Sequence, residues 1–403
     1  MSEPVSEQGG IKHLLRLMFG KSWPMWIGGI LLGVGNICLF IVLNPWGASG
    51  GILNWGQNIF NSIGIISFGS AEAALPAVNA HPYAILCFLM LLGAFIAALM
   101  SKEFAFRIPP IGEIVKGFIG GILMGIGAII GLSCTIGGFF SGWAALSLGA
   151  IVFTVGLVIG TYVALKYLLF EMEKFPKISS GKSVSLLSAA TSRKSFQPLI
   201  GIIALVLGLV IAYNLGKGGN KVLVSYVLLG LFFGFVCQRS RFCIVRALRE
   251  PFMTGESSAP IGLMAGILVS MFGFTFIKFM NSGTPKEMAW VFPHFWLPAI
   301  IGGIIFGLGM TLAGGCVVGS LWRAGEGQVK LWASLVGMTI AMPLTSKYIA
   351  APFFKALSPG LKQQVYLPQK IGYGWTMLLF LFIILLWYLF VKWNEKTGKF
   401  SAL

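Results

Sequence analysis

The sequence predicts an all-α polytopic membrane protein of about ten transmembrane segments, with two re-entrant or half-helix loops and an internal duplication arranged as an inverted repeat. Three observations predict it. First, 57% of the 403 residues are hydrophobic and only 10% are charged, with a mean hydropathy of +0.87, whereas soluble domains carry about 25% charged residues. Second, several apolar runs reach the roughly 20 residues that a helix needs to cross a bilayer. Third, two glycine-rich stretches match each other: FIGGILMGIGAIIGLSCTIG, Phe118 to Gly137, and IIGGIIFGLGMTLAGGCVVG, Ile300 to Gly319. Eight of their twenty positions are identical, and Cys134 and Cys316 fall at the same place in each.

Period-two alternation is absent, so helices rather than a barrel must satisfy the backbone inside a membrane. In chain order the predicted spans are 25–43, 83–100, 117–133, 149–168, 198–213, 222–237, 259–279, 298–315, 331–349 and 371–391. The segment from Asn44 to His81 holds no Lys or Arg and is predicted to face outward. The linker 169–197 carries Lys174, Lys177, Lys182, Arg193 and Lys194 and is predicted to face the cytoplasm, as are both termini with Lys12, Arg16 and Lys21 at one end and Lys392, Lys396 and Lys399 at the other. Copy one of the repeat then enters the membrane from the cytoplasm at Gly117, and copy two from outside near Pro298. This divides the chain into an N-terminal half, 1–170, a basic cytoplasmic linker, 171–197, and a C-terminal half, 198–403, with an extra connector and a terminal helix. No cleavable signal peptide is visible. The net charge of +17 is spread between apolar runs instead of forming one patch, so it reads as positive-inside loops and not as a nucleic-acid surface.

The glycines at Gly120, Gly121, Gly125 and Gly127 let helices approach closely. Around Ser133-Cys134 and Gly314-Gly315-Cys316 small residues break the helix, and the chain that follows is poorly suited to a regular span. Broken backbone at membrane depth is tolerated only inside protein or along a cavity, and its freed N–H groups can bind an anion. A third feature is QRSRFCIVRALRE, Gln238 to Glu250, where Arg239, Arg241, Arg246 and Arg249 surround Cys243. It reads either as a cytoplasmic positive-inside loop or as an electropositive mouth that attracts an anion and favours the thiolate. Arg323 and Glu326, just after Cys316, are expected to pair. Cys38, Cys87 and Cys237 read as packed small hydrophobes. His13, His81 and His294 share no spacing, so no metal site, catalytic triad or cofactor is indicated, and no carboxylate falls mid-span.

From about 85 to 391 the chain resembles the YeeE/YedE sulphur-transport membrane protein family. The resemblance rests on the paired GG-x3-G-x-G stretches ending in Cys134 and Cys316, on QRSRFC with Cys243, and on GGCVVGSLWRAGEGQ around Cys316. Length and the basic linker look most like the YedE branch. The resemblance implies a transporter in the bacterial inner membrane, not an enzyme. Its substrate would be a small inorganic sulphur anion of the thiosulfate type, or a selenium anion. It also implies short helices that penetrate partway around a central passage. The essential cysteines fall by motif on Cys134, Cys243 and Cys316, with Arg239, Arg249 and Arg323 as further candidates to hold substrate. Membrane lipid surrounds such a protein, and a separate cytosolic sulphur carrier of the TusA/SirA type is an expected partner. Two other readings remain open: a membrane sulphurtransferase carrying a persulfide on Cys243, and a scaffold that anchors a sulphur-carrier protein.

Overall fold

In the computed structural model the described residues are 18–68, 75–174, 183–186, 196–292, 296–356 and 364–400. His13, His294, Lys12, Arg16, Lys177, Lys182, Arg193, Lys194 and Lys362 lie outside them. Ten helical stretches are long and apolar enough to cross a membrane, from Met25–Val42 to Leu367–Thr397, and each overlaps one predicted span. The protein is a multi-pass helical membrane protein.

Four times the chain follows one plan, a long helix, a short helix and a second long helix. The first unit is α1 (Met25–Val42), α2 (Ser49–Ile63) and α3 (Pro82–Met100). The strand β1 (Phe106–Ile108) leads into the second unit: α4 (Ile111–Ile130), a π-turn Thr135–Phe140 continued by α5 (Ser141–Ala144), and α6 (Leu148–Lys174). After β2 (Val184–Leu186) and the single helix α7 (Gln197–Lys217) comes the third unit, α8 (Lys221–Ser240), α9 (Ile244–Met253) and α10 (Ser258–Met280). The fourth is α11 (Leu297–Ala313), α12 (Val317–Gly325) and α13 (Val329–Leu344). A π-turn at Thr345–Ala350, α14 (Ala351–Ala356) and the long α15 (Leu367–Thr397) follow.

The units pack reciprocally. The first long helix of unit one lies on the last of unit three, α1 on α10, and the first of unit three on the last of unit one, α8 on α3. Units two and four repeat the exchange, α4 on α13 and α11 on α6, and α4 also packs on α11 at the centre. Glycine makes these contacts possible. A Cβ on Gly127 would fall 2.5 Å from the Phe306 nitrogen, and one on Gly120 2.6 Å from the Gly309 carbonyl. Residue numbers rise along α4 as they fall along α11, so the two matched stretches cross antiparallel. On α13 they rise together, with Gly117 on Lys330 and Gly125 on Ala341. Apolar side chains of α7 such as Leu199, Ile203, Leu207 and Tyr213 remain exposed on the outside of the bundle, as lipid-facing side chains must.

Polar contacts define one basic end of the bundle. Glu103, just after α3, pairs with Arg239 and Arg241 at the end of α8. Lys116 on α4 pairs with Glu171 on α6 at 2.5 Å, and Lys330 on α13 pairs with Glu113 on α4. Part of the linker is docked here: β2 pairs antiparallel with β1, Arg107 opposite Ser185. Residues 183–186 are therefore held against the bundle, and α6 runs to Lys174, past the boundary expected at 170.

The close crossing yields a test. Gly127→Ala forces α4 off α11 and is expected to cost about 1–3 kcal/mol, the range for overpacking, read as a lower melting temperature in detergent. Gly50→Ala, whose Cβ meets nothing within 4 Å, is expected to leave melting unchanged or raise it.

Candidate functional site

Cys134, Cys243 and Cys316 occupy the same local structure in units two, three and four. Two residues before each cysteine the backbone turns left-handed, at Leu132 (φ 53°), Arg241 (φ 52°) and Gly314 (φ 79°). The cysteine is then extended and stands at the N-cap of the short helix, where its Sγ accepts the N–H three residues on: Gly137 at 3.5 Å, Arg246 at 3.4 Å and Gly319 at 3.5 Å. Only glycine takes that turn freely, so Leu132 and Arg241 carry local strain. Beyond each cysteine the chain forms a short helix and not a regular span: a π-turn follows Cys134 and the backbone turns left-handed again at Leu146 (φ 58°), while α12 ends at Gly325. Sulphur is a weak acceptor compared with the Ser, Thr, Asp or Asn oxygens that usually hold an N-cap. Its recurrence three times in one chain therefore calls for a role other than capping.

All three thiols are buried, at 0, 2 and 1% exposure. Cys316 sits within electrostatic reach of both Cys243 and Cys134. Cys237 lies within the same reach of Cys316 and Cys243, and Cys87 of Cys134. These two are packed as expected, but they line the cluster, whereas Cys38 is exposed on the bundle's outside. Unit one breaks the pattern, with Ala48 at the N-cap. There the Cys87 thiol donates to the Ala48 carbonyl at 3.4 Å.

The cysteines divide between the two halves of the bundle. The break at Cys134 joins the far end of α4 to the start of α6, away from the basic end. Those at Cys243 and Cys316 join helices at the basic end. A cavity of about 330 Å³ opens on the far side, lined by Ser133 and Gly137 beside Cys134, by Gly47 and Ser49 of unit one, and by Tyr83 and Trp290. The Trp290 indole donates to the Gly137 carbonyl at 2.8 Å. His81 caps α3 there through Nδ1, and burial lowers its pKa, so the ring favours the neutral form that can accept. A second cavity of about 530 Å³ lies at the basic end, lined by Lys102, Glu103, Arg107, Arg241, Ser185 of β2 and Ser183 just before it.

Most of the charged residues in these motifs hold partners within the protein. Arg239 is fully buried, donating to the Met18 carbonyl at 3.0 Å and the Lys21 carbonyl, with Glu103 at 3.4 Å. Arg323 does not pair with Glu326. It donates to the Gly314 carbonyl at 2.8 Å and lies over the Trp322 ring. Glu326, wholly buried, takes Arg241 instead, with Arg107 at 3.6 Å. Arg246 is held by Glu250 and Glu256. The Arg249 Nε is buried without a hydrogen-bond partner among the described residues. Cys243 thus stands in a buried, largely neutralised setting beside Cys316, and not at an open arginine-rich mouth outside the pair. Sequence reasoning missed Glu103, and it paired Glu326 with Arg323 where it takes Arg241. It also missed unit one as a further copy of the plan, because Ala48 carries no signal.

With this geometry in view, comparison with known proteins is decisive. The profile of the sulphur-transport family matches residues 2–163 and 239–402. The chain belongs to that family. It is 28% identical to the probable transporter YedE of Escherichia coli over 313 residues, 75% of each chain. It is 26% identical to the YedE of Salmonella typhimurium, covering 84% of each. Over 184 residues, 45% of this chain and 51% of the other, it is 28% identical to the thiosulfate transporter TsuA of Escherichia coli. As a family member the protein is a transporter and not an enzyme.

The ion cluster can be tested. Glu326→Gln removes the counter-charge of Arg241 in a buried setting and is expected to cost roughly 3 kcal/mol, the lower end for breaking a buried pair. Arg107→Gln, on a side chain 42% exposed, is expected to cost less than about 1 kcal/mol. Chemical unfolding in micelles compares them, and equal losses would show that Glu326 does not anchor the cluster.

Proposed function

We propose that the protein carries a small sulphur oxyanion of the thiosulfate type, or its selenium counterpart, across the bacterial inner membrane through the cysteine cluster. The observation that carries the reading is the placement of three equivalent thiols, each on a short-helix N-terminus, in the buried region between two cavities on opposite faces. Each Sγ accepts a backbone N–H, which leaves its S–H free to donate. The N-terminus behind it contributes positive potential without a formal charge. Thiols are weak, soft donors, suited to a polarisable sulphur atom. Conduction needs several weak sites in place of one strong one.

The basic end is assigned to the cytoplasm with both termini, by the positive-inside rule. The halves, 1–170 and 198–403 about the linker 171–197, are then an inverted repeat, consistent with the antiparallel crossing of α4 and α11. The anion enters the far cavity, meets Cys134 first and Cys316 and Cys243 next, and leaves by the cavity at Arg241. A cytosolic sulphur carrier of the TusA/SirA type would receive it there. The burial of Cys243 and the pairing of Arg246 with carboxylates weigh against the persulfide-carrier reading, since a reactive thiolate needs access and free positive charge.

In proteoliposomes loaded with purified protein, Cys134→Ala, Cys243→Ala and Cys316→Ala are each expected to lower labelled thiosulfate uptake by tenfold or more. Cys38→Ala should keep it. Full uptake by all three variants would sink the proposal, and a stable persulfide on Cys243 in the intact-protein mass spectrum would favour the sulphurtransferase instead. A parallel assay with selenite separates sulphur from selenium.

A further inference from the structure

The thiol cluster accounts for the soft end of a thiosulfate-type anion and leaves its oxygens without a strong donor. Two hydroxyls answer that need. Thr135 follows Cys134 as the first residue of its short helix, and its side chain is fully buried. Its Oγ1 lies against the Cys316 thiol, which comes from the opposite half of the bundle, yet it makes no hydrogen bond of good geometry to that thiol or to any other described group. Ser320 stands four residues after Cys316, on the same face of its short helix, and is likewise fully buried with its hydroxyl unpartnered. Ser141 nearby donates to the Trp46 carbonyl at 2.7 Å, and Thr154 to the Ala150 carbonyl at 2.8 Å; Thr161, Thr275 and Ser334 are also unpartnered, but they stand on long helices and none follows a cysteine of the cluster. A buried hydroxyl without a partner forfeits its hydration for nothing, and few native groups do so.

We infer that Thr135 and Ser320, each within a turn of a cysteine of the cluster, form a hydroxyl subsite at Cys134 and Cys316 that binds the oxygens of a sulphur oxyanion while the thiols hold its sulphur. This deepens the proposed function and rests on it. A hydroxyl is a hard donor matched to a charged oxygen, and such charge-assisted bonds are the strong class. The placement also explains selectivity. An anion that carries both oxygen and a terminal sulphur engages hydroxyl and thiol together, whereas chloride engages neither pairing well. Thr135 stands on the far half and touches a thiol of the basic half, so one bound anion would contact both halves at the point where they meet.

The test is thiosulfate binding to the purified full-length protein in micelles, followed by calorimetry. Thr135→Val keeps the volume and removes the donor. It is expected to raise the Kd for sodium thiosulfate by about tenfold or more, the loss expected for one hydrogen bond to a charged group. Thr135→Ser restores the donor and should bring the Kd back to within about threefold of the natural protein. If the valine variant does not fold, Thr135→Cys, a weaker donor of similar size, should show an intermediate loss. Valine and serine variants that both bind as the natural protein does would overturn the inference, as would equal losses in both, which would point to volume and not to the hydroxyl. A natural protein that binds no thiosulfate would bring down the proposed function itself. Thiosulfate binding that is lost in Cys316→Ala but kept in Thr135→Val would bring down the hydroxyl subsite alone.

Discussion

The structure depends on the requirement that backbone polar groups find partners where no water can reach them. Short helices that begin inside a membrane bundle expose free N–H groups at one end and free carbonyls at the other. This protein holds such breaks in four places among the described residues, and at three of them side chains from other helices satisfy the carbonyls. Lys278 donates to the Ala145 carbonyl at 3.0 Å, behind the helix that Cys134 begins. Asn394 from α15 donates to Pro251, and the Trp332 indole donates to Ala324 at 3.0 Å. The Trp322 indole reaches back to the Phe242 carbonyl, beside Cys243. These donors reach their targets only if long helices enclose the breaks tightly. The Gly127 and Gly120 contacts of α4 with α11 supply that closeness at the centre. Glycine packing, reciprocal units and broken helices are thus one solution to one constraint.

The N–H ends are treated differently, and the chemistry lies in that difference. Where carbonyl ends receive strong donors, the N–H ends receive a cysteine sulphur, among the weakest acceptors available. Two of the full charges nearby are paired with carboxylates, Arg241 with Glu326 and Glu103, and Arg246 with Glu250 and Glu256, whereas Arg323 meets the Gly314 carbonyl and the Trp322 ring. Helix ends in a low dielectric add partial positive potential around the thiols, which under the proposed function would attract an anion with weak donors in place of a strong one.

Much of this was legible in sequence, for physical reasons that can be stated. Apolar runs of spanning length are long, strongly biased signals, so all ten spans were found within a few residues. Cys134 and Cys316 matched because their flanking glycines serve the same close crossing. Cys243 was recognised through QRSRFC but not as their equivalent. Its preceding helix α8 packs on α3 through Gly230 and Gly234, a sparser pattern than the double glycines of α4 and α11. The left-handed turn was invisible at Leu132 and Arg241, because only at Gly314 does the residue type announce it. The Arg323–Glu326 pair was a reasonable guess from spacing. It failed because the helix ends at Gly325, and the Glu326 backbone turns to meet β1, with the Ala105 nitrogen on its carbonyl. Ion pairing across units is set by tertiary placement and leaves no local mark.

Two features that cost stability then need a common explanation. Leu132 and Arg241 hold left-handed backbone without being glycine, and three N-caps use sulphur where oxygen would bind better. Neither serves folding. Each of the two strained residues lines a cavity two residues before a cysteine, Leu132 the far cavity and Arg241 the basic one. A side chain other than hydrogen at the turn lets the residue that aims the cysteine also shape the entrance before it. At Cys316 the turn is glycine, and Gly314 lines neither cavity. Left-handed residues other than glycine recur at Lys102 in the basic cavity, at Trp290 in the far one, and at the buried Leu146, which lines neither. The strain therefore gathers at the cavities without being confined to them.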